Sequence, residues 1–141
     1  AELIIMDEPT SGLDPVFRSE LLDILYDIIQ DEGKTILFST HITTDLEKIA
    51  DYITFINHGR LVFSLPKDEV IERYALVKGG LDVLQNGLER KLVGVRRGQA
   101  GFSALTTEPK ALTRQFGEKV TIERPSLEDI MVYMVRGERS V

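Results

Sequence analysis

LIIMDEPTSGLD, residues 3–14, decides the fold of this 141-residue chain. The first four residues form an unbroken apolar run that stops at a turn rich in Pro, Ser and Gly. Such a run is typical of a strand that is buried on both faces of a parallel sheet. Ligands of these sheets bind beyond the carboxyl ends of the strands. The stretch therefore predicts a ligand site at Asp7 and Glu8.

Asp7 and Glu8 are two adjacent carboxylates at the end of a buried strand. Placing two acids there is costly unless they bind something, because charged groups lose hydration when they are buried. One carboxylate can hold a hard cation such as Mg²⁺, and the other can polarise a water molecule. The pair therefore favours metal-assisted hydrolysis.

A second strand is predicted at residues 34–40, KTILFST, after an amphipathic helix that begins at Asp14-Pro15 and ends at Gly33. A strand, a helix and a strand in succession imply a right-handed parallel crossover. His41 follows the second strand, so we expect it at the same sheet edge as the two acids. A lone histidine after a strand is more often structural, but the paired acids favour a functional role here.

LIIMDEPTSGLD, together with Ser39-Thr40-His41, resembles the Walker B strand, D-loop and switch histidine of ATP-binding-cassette (ABC) ATPases. In that family the residue matching Asp7 holds Mg²⁺ through water, and the residue matching Glu8 is the general base for the attacking water. The residue matching His41 contacts the γ-phosphate of ATP. The resemblance further implies a D-loop that reaches the partner ATPase subunit, formed by Ser11, Gly12, Leu13 and Asp14.

The family's phosphate loop, G-x-x-x-x-G-K-[ST], and its LSGGQ-type signature do not occur in these 141 residues. We expect both upstream of Ala1, which makes this chain the C-terminal part of a longer protein. We also expect that the fragment neither binds nor hydrolyses ATP alone. Its first strand lacks upstream neighbours, so exposed strand edges predict self-association.

The charge distribution predicts two domains. Residues 1–74 contain 6 Lys or Arg against 15 Asp or Glu, whereas residues 75–141 contain 11 against 8. We therefore expect an α/β fold in which residues 1–74 are the C-terminal half of a P-loop ATPase (ABC) domain, with parallel strands and helices. Residues 75–141 are expected to form a small α+β accessory or regulatory domain.

The remaining elements are predicted from periodicity, caps and turns. Thr44 and Glu47 form a capping-box pattern at the start of a helix. A hairpin is expected around Asn57-His58-Gly59, followed by a helix after Pro66. In the second domain we expect a strand at 75–78, a helix at 81–88, a hairpin of 91–97 with 101–106, a helix at 109–116, a strand at 120–123 and a helix at 127–135 capped by Ser126.

Composition excludes several classes. The chain has no cysteine, which removes disulfides and thiolate zinc sites. Its apolar runs are far shorter than the ~20 residues that span a bilayer, so we expect membrane association only through a partner. The acidic first half argues against nucleic-acid binding.

The stretch Arg124–Val135 resembles the terminal helix of ATP-binding subunits of bacterial ABC-2-type exporters. The resemblance implies a peripheral ATPase subunit at the cytoplasmic face of the membrane, working with a separate permease and a second copy of itself. Two alternatives stay open: a soluble ABC-type ATPase that acts on ribosomes or nucleic acid, and an accessory binding or dimerisation module in residues 75–141. Arg96 and Arg97 favour a solvated hairpin edge over an anion contact.

Overall fold

The computed structural model describes residues 2–85 and 87–138. Contacts between residues divide the chain into two compact units, one up to Asp51 and one from Tyr52 onward. We call them the first unit and the second unit. The contacts place the break at Asp51 and not at Tyr74, so the domain boundary expected after Tyr74 stays a prediction.

The first unit is a strand–helix–strand crossover followed by a second helix. Its two strands are parallel and pair in register from Glu2 with Lys34 to Asp7 with Ser39. The predicted parallel crossover is therefore confirmed. Its elements are β1 (Glu2–Asp7), α1 (Pro15–Ile29), β2 (Lys34–Ser39) and α2 (Thr43–Ile49).

The two-stranded sheet of the first unit is covered on one face. Alternate side chains of β1 and β2, including Met6, Ile36 and Phe38, pack against the buried helix residues of α1 and α2. The side chains that point to the other face are exposed, and the exposed fraction reaches 69% at Ile5 and 60% at Leu37. The expectation that the strand is buried on both faces is wrong for this chain, because described helices cover only one face of the sheet.

Helix α1 begins as predicted. The Asp14 carboxylate accepts the backbone N–H groups of Val16 at 2.9 Å and Phe17 at 3.1 Å, and Pro15 occupies the first turn. The helix ends at Ile29, before the predicted stop at Gly33. A turn closed by the Asp31 side chain, which accepts the Gly33 N–H, separates the helix from β2.

The capping box predicted for α2 is wrong. The helix starts at Thr43, its N-cap residue is Ile42, and no side chain of the described residues caps it. Thr44 therefore lies inside the first turn, where its hydroxyl accepts a hydrogen bond from Arg18 at 2.7 Å.

The second unit begins with the predicted hairpin. Strands β3 (Tyr52–Asn57) and β4 (Arg60–Pro66) are antiparallel. His58 and Gly59 at the turn have φ angles of +48° and +73°, as a type I′ turn requires. Helix α3 (Lys67–Arg73) follows.

A four-stranded antiparallel sheet forms the rest of the second unit, with strand order β6-β7-β5-β8. The chain order of its strands and helices is β-α-β-β-α-β, the arrangement of ferredoxin-like folds. The predicted small α+β unit is therefore observed. Its elements are β5 (Ala75–Gly79), α4 (Leu81–Leu84), β6 (Val93–Arg97), β7 (Phe102–Thr106), α5 (Pro109–Phe116), β8 (Val120–Glu123) and α6 (Leu127–Glu138).

One face of this sheet packs on α4 and α5, where Val77, Ala104 and Leu112 are fully buried. Helix α6 packs along β6. The prediction of a helix over 81–88 is only partly right, because α4 ends at Leu84 and a short 3-10 turn follows at Leu88–Lys91. Gly87, at φ +77°, holds a left-handed conformation that an α-helix cannot contain.

The start of α6 is capped as expected. The Asp129 N–H donates to the Ser126 hydroxyl at 3.0 Å, and the Ser126 N–H donates to the Asp129 carboxylate at 3.0 Å. This reciprocal pair is a capping box. Within the described part of the chain, no helix is long and apolar enough to cross a bilayer.

Candidate functional site

The candidate site lies where β1 and β2 of the first unit end side by side. Asp7, the last residue of β1, pairs with Ser39, the last residue of β2. The Ser39 hydroxyl donates a hydrogen bond to the Asp7 carboxylate, and the Glu8 N–H donates to the Ser39 carbonyl at 2.9 Å. The parallel pairing thus places the acids of one strand against the polar end of the other.

Glu8 has an uncommon backbone conformation. Its φ angle is +46°, in the left-handed region that side chains rarely adopt. Two backbone hydrogen bonds hold it there: its N–H donates to Ser39, and its carbonyl accepts the Ser11 N–H at 3.1 Å. Strained residues of this kind cluster at functional sites, where the surrounding structure fixes them. Glu8 is therefore both chemically and conformationally the unusual residue of the first unit.

His41 meets Glu8 at this edge. Its Nδ1 lies 2.9 Å from Oε1 of Glu8, and its backbone N–H donates to Oε2 at 3.4 Å. The His41 side chain is 74% exposed and the Glu8 side chain 34% exposed. When Nδ1 has the proton it donates to the carboxylate, and Nε2 is then the ring atom free to accept. The three candidate side chains, Asp7, Glu8 and His41, thus gather at one accessible edge.

The turn between Glu8 and α1 presents the predicted D-loop residues. Gly12 has a φ angle of +79°, and the Leu13 N–H donates to the Thr10 carbonyl at 3.3 Å. Ser11, Gly12 and Leu13 are exposed. Asp14 is exposed too, but its carboxylate already caps α1. The structure therefore gives Asp14 a local role, whereas the side chains of Ser11 and Leu13 form no such bond within the described part of the chain.

A buried polar network supports this turn. Thr10 and Asp45 are only 2% and 1% exposed. The Thr10 hydroxyl donates to Oδ2 of Asp45 at 2.5 Å, and Arg18 donates to Oδ1 from Nε at 2.8 Å. The network joins the loop after Glu8 to α1 and to α2.

Sequence reasoning missed this network. Arg18 appears on the polar side of an amphipathic helix, and Asp45 appears as an ordinary acid in a first helical turn. Neither pattern distinguishes a solvated charge from a buried one, so only the tertiary structure shows that they pair.

The donor set fits one kind of metal site. Among the described residues no group of three or more His, Asp or Glu side chains could hold a metal ion. A cage made only of protein ligands is therefore not found there. Mg²⁺ in nucleotide-handling enzymes typically keeps water molecules and binds one or two carboxylates plus the phosphates of the substrate. The exposed Asp7 carboxylate meets that smaller requirement.

Three of the proteins to which the chain is similar are named as transport or transporter ATP-binding proteins. An uncharacterized ABC transporter ATP-binding protein of Synechocystis is 34% identical over 99% of this chain and 41% of its own length. The bacitracin transport ATP-binding protein BcrA of Bacillus licheniformis is 35% identical over 51% of this chain and 24% of its own length. The lantibiotic transport ATP-binding protein SrtF of Streptococcus pyogenes is 42% identical over 48% and 29%, respectively.

The chain is similar to ABC transporter ATP-binding proteins over up to 99% of its length, as the resemblance of residues 3–14 and 39–41 predicts. It spans less than half the length of the relatives it matches. No protein-family model matches the chain. A solved structure of a metal-chelate type ABC transporter covers 78% of this chain at 22% identity with a TM-score of 0.46, too loose a likeness to support an argument.

Proposed function

We propose that the intact protein is the ATP-hydrolysing subunit of an ABC exporter and powers transport through a separate membrane permease. The observation that supports this most directly is the meeting of Asp7, Glu8 and His41 at one sheet edge, with His41 Nδ1 2.9 Å from the Glu8 carboxylate. The ABC transporter ATP-binding relatives point to the same activity.

Glu8 is the general base in this proposal. A base must lie within hydrogen-bond reach of the water it activates, and the Glu8 side chain is 34% exposed to solvent. The left-handed backbone at Glu8 fixes the direction of the side chain, and the His41 ring restrains it further. Catalysis of phosphoryl transfer depends mainly on such positioning and on stabilising charge.

In this proposal Asp7 and His41 bind the phosphate end of the nucleotide, Asp7 through Mg²⁺ and His41 directly. Asp7 would hold Mg²⁺ through a water molecule, and the ion would neutralise phosphate charge when bound. The Ser39 hydroxyl donates to the Asp7 carboxylate and fixes the group that would hold the ion. His41, exposed and next to Glu8, contacts the γ-phosphate of ATP.

The exposed turn of Ser11, Gly12 and Leu13 is the proposed contact with a second copy of the subunit. Asp14 belongs to the same loop, and its contribution is to begin α1 and so to fix the end of the turn. Two copies would close ATP between them at the cytoplasmic face of the membrane. We do not propose nucleic acid as a partner, because the first unit is strongly acidic.

The transported class is taken from the names of two relatives. BcrA is described as a bacitracin transport protein and SrtF as a lantibiotic transport protein. Peptide antibiotics are therefore the first compounds to test for export. Recovery of the full-length protein with a membrane permease supports the transport function, whereas recovery with ribosomes contradicts it.

Replacing Glu8 tests the proposed chemistry. In the full-length protein, Glu8→Gln keeps the size of the side chain but removes its basicity, so ATP hydrolysis should fall by about 10²- to 10⁴-fold. Binding of ATP, measured by equilibrium dialysis, should persist. The matched control is Glu20→Gln on the exposed side of α1, which should leave the rate unchanged.

Two results would contradict the assignment. One is full hydrolysis by Glu8→Gln, and the other is an equal loss in Glu20→Gln. The 141-residue chain by itself should show neither ATP binding nor hydrolysis, because several parts act together in phosphoryl transfer. Magnesium-dependent turnover by this chain, abolished by Glu8→Gln, would overturn that last expectation.

A further inference from the structure

The second unit contains an open groove of about 760 Å³ lined by four cations: Lys78, Arg96, Arg97 and Lys119. None of the described residues that line it is acidic. Ser103 and Thr121 also line the groove, and the Ser103 hydroxyl forms a hydrogen bond with the Tyr133 hydroxyl at 2.6 Å. We call this the basic groove. We propose that the basic groove binds a small phosphate-bearing anion.

The pairing of the strands explains why these side chains converge. Lys78 of β5 lies opposite Ser103 of β7 on one side and opposite Thr121 of β8 on the other. Arg96 of β6 lies opposite Ser103. Residues directly opposite each other in antiparallel strands share a face of the sheet. Four strands thus contribute one row of two cations and two hydroxyl-bearing residues, and all four residues line the basic groove.

Two of the four cations have no carboxylate partner among the residues that the structure describes. Lys78 donates to Glu123 at 2.8 Å, and Arg97 is paired with Glu89. Arg96 and Lys119 form no ion pair within residues 2–85 and 87–138. Both are exposed and line the same groove. The basic groove therefore keeps an excess of positive charge that an anion can neutralise.

Glycine backbone narrows one wall of the basic groove. A Cβ atom added to Gly101 would lie 2.2 Å from the Gly79 carbonyl oxygen, and both glycines line the groove. The Gly98 N–H donates to the Gly101 carbonyl at 2.8 Å and closes the hairpin loop beside them. The close approach of the two backbones gives the groove a fixed shape instead of a loose charged surface.

The chemistry of the lining favours phosphate. Guanidinium groups match phosphate oxygens with two parallel hydrogen bonds, and lysine adds a point charge. The groove volume is in the range of small-molecule sites. Its aromatic residue, Phe102, is only 4% exposed and so offers no surface on which a nucleic-acid base could stack. A compact phosphate compound suits these features better than a nucleic-acid strand.

Titration calorimetry of the 141-residue chain with pyrophosphate tests the proposal without any ATPase activity. We expect saturable binding at one site per chain. Arg96→Gln and Lys119→Gln should each weaken it roughly tenfold, because each removes a charge-assisted hydrogen bond. Both side chains are exposed, so the fold should survive, and circular dichroism checks this.

Matched controls lie on α5, away from the groove. Arg114→Gln and Lys110→Gln remove the same charges from exposed positions and should leave the affinity unchanged. An equal loss in the controls would mean general charge attraction and would overturn the proposal. Binding of pyrophosphate that is insensitive to Arg96→Gln would also overturn it.

Vesicles distinguish a free phosphate compound from a lipid headgroup. The chain is mixed with phosphatidylcholine vesicles, with and without phosphatidic acid, and sedimented. Sedimentation only with phosphatidic acid, lost in Arg96→Gln, supports the site and makes the headgroup the source of the phosphate. Pyrophosphate binding without sedimentation supports the site with a soluble compound as the source. Failure of both probes overturns the proposal.

Discussion

The two units of the chain differ in the sign of the charge at their polar sites and in how fully other elements cover their sheets. The first unit places the acids Asp7 and Glu8 at the carboxyl end of a parallel pair of strands. The second unit places cations on one face of a four-stranded antiparallel sheet. The first sheet leaves Leu3 and Ile5 exposed, whereas the second encloses a larger core.

This difference bears on which of the two proposed sites can act within these 141 residues alone. Carboxylates such as Asp7 and Glu8 repel a triphosphate unless a cation and other positive groups accompany them, so the first unit contains the base that we propose but little attraction for ATP. The basic groove has its cations, hydroxyls and backbone wall within one unit. We therefore expect its binding to survive in the 141-residue chain, and hydrolysis at the acidic edge to require the intact protein.

The largest effect is expected in the second unit, at Gly94. This buried glycine of β6 has a φ angle of +66°, and an added Cβ would lie 1.8 Å from the Tyr133 carbonyl oxygen of α6. Gly94→Ala should therefore push α6 away from β6 and lower the free energy of unfolding of the unit by at least about 3 kcal/mol. Urea unfolding measures this loss.

Gly98→Ala is the control for that substitution. The nearest atom to its added Cβ would be 3.8 Å away, so we expect a change within about 0.5 kcal/mol. Amide hydrogen exchange should show that Gly94→Ala opens β6 and α6 first. If Gly94→Ala unfolds at the same urea concentration as the unsubstituted chain, the close packing of α6 on β6 is wrong.

The next effect is expected in the first unit, at Asp45. Asp45→Asn removes the charge that Arg18 and Thr10 contact and leaves a half-paired cation beside a buried position. Breaking a buried pair costs about 3 kcal/mol or more. Unfolding of the first unit measures this, and Asp23→Asn is the control because its pair with Lys48 is exposed. An exposed pair contributes about 1 kcal/mol or less.

The Asp45 network is also connected to the candidate site at Asp7 and Glu8. Because its network holds Thr10, two residues after Glu8, we expect Asp45→Asn to lower the hydrolysis rate of the full-length protein as well as its stability. The amide signals of residues 8–13 should shift in Asp45→Asn but not in Asp23→Asn. Unshifted signals in both variants would show that the network is separate from the site.

Much of the first unit is predictable from its sequence, because the signals that form its elements lie in short stretches of the chain. The apolar run, the Asp14-Pro15 start and the second strand each act through nearby residues, and the structure has them all. Asp7, Glu8 and His41 gather because parallel strands end at the same edge, which topology alone dictates. The partnership of Arg18 with Asp45 joins positions 27 residues apart, and no local pattern encodes it.

In the second unit, too, the sequence does not reveal which distant residues lie side by side. The strands and most of the helices follow from periodicity, but the register of β5, β7 and β8 does not, and this register forms the row of Lys78, Ser103 and Thr121. Arg96 in isolation is typical of a solvated hairpin edge. The phosphate contact that we propose for Arg96 depends on neighbours from other strands, which the sequence does not identify.

The smallest effect is expected on the exposed face of the first sheet. Ile5 is 69% exposed, so Ile5→Thr keeps a β-branched side chain and should change the free energy of unfolding by less than about 0.5 kcal/mol in dilute solution. Ile36 lies on the covered face, and Ile36→Thr should cost about 1 to 2 kcal/mol. At high concentration the exposed apolar face and strand edges favour self-association. Light scattering should show that Ile5→Thr weakens this association, whereas Ile36→Thr should mainly change stability. A strict monomer at every concentration would contradict the proposed self-association.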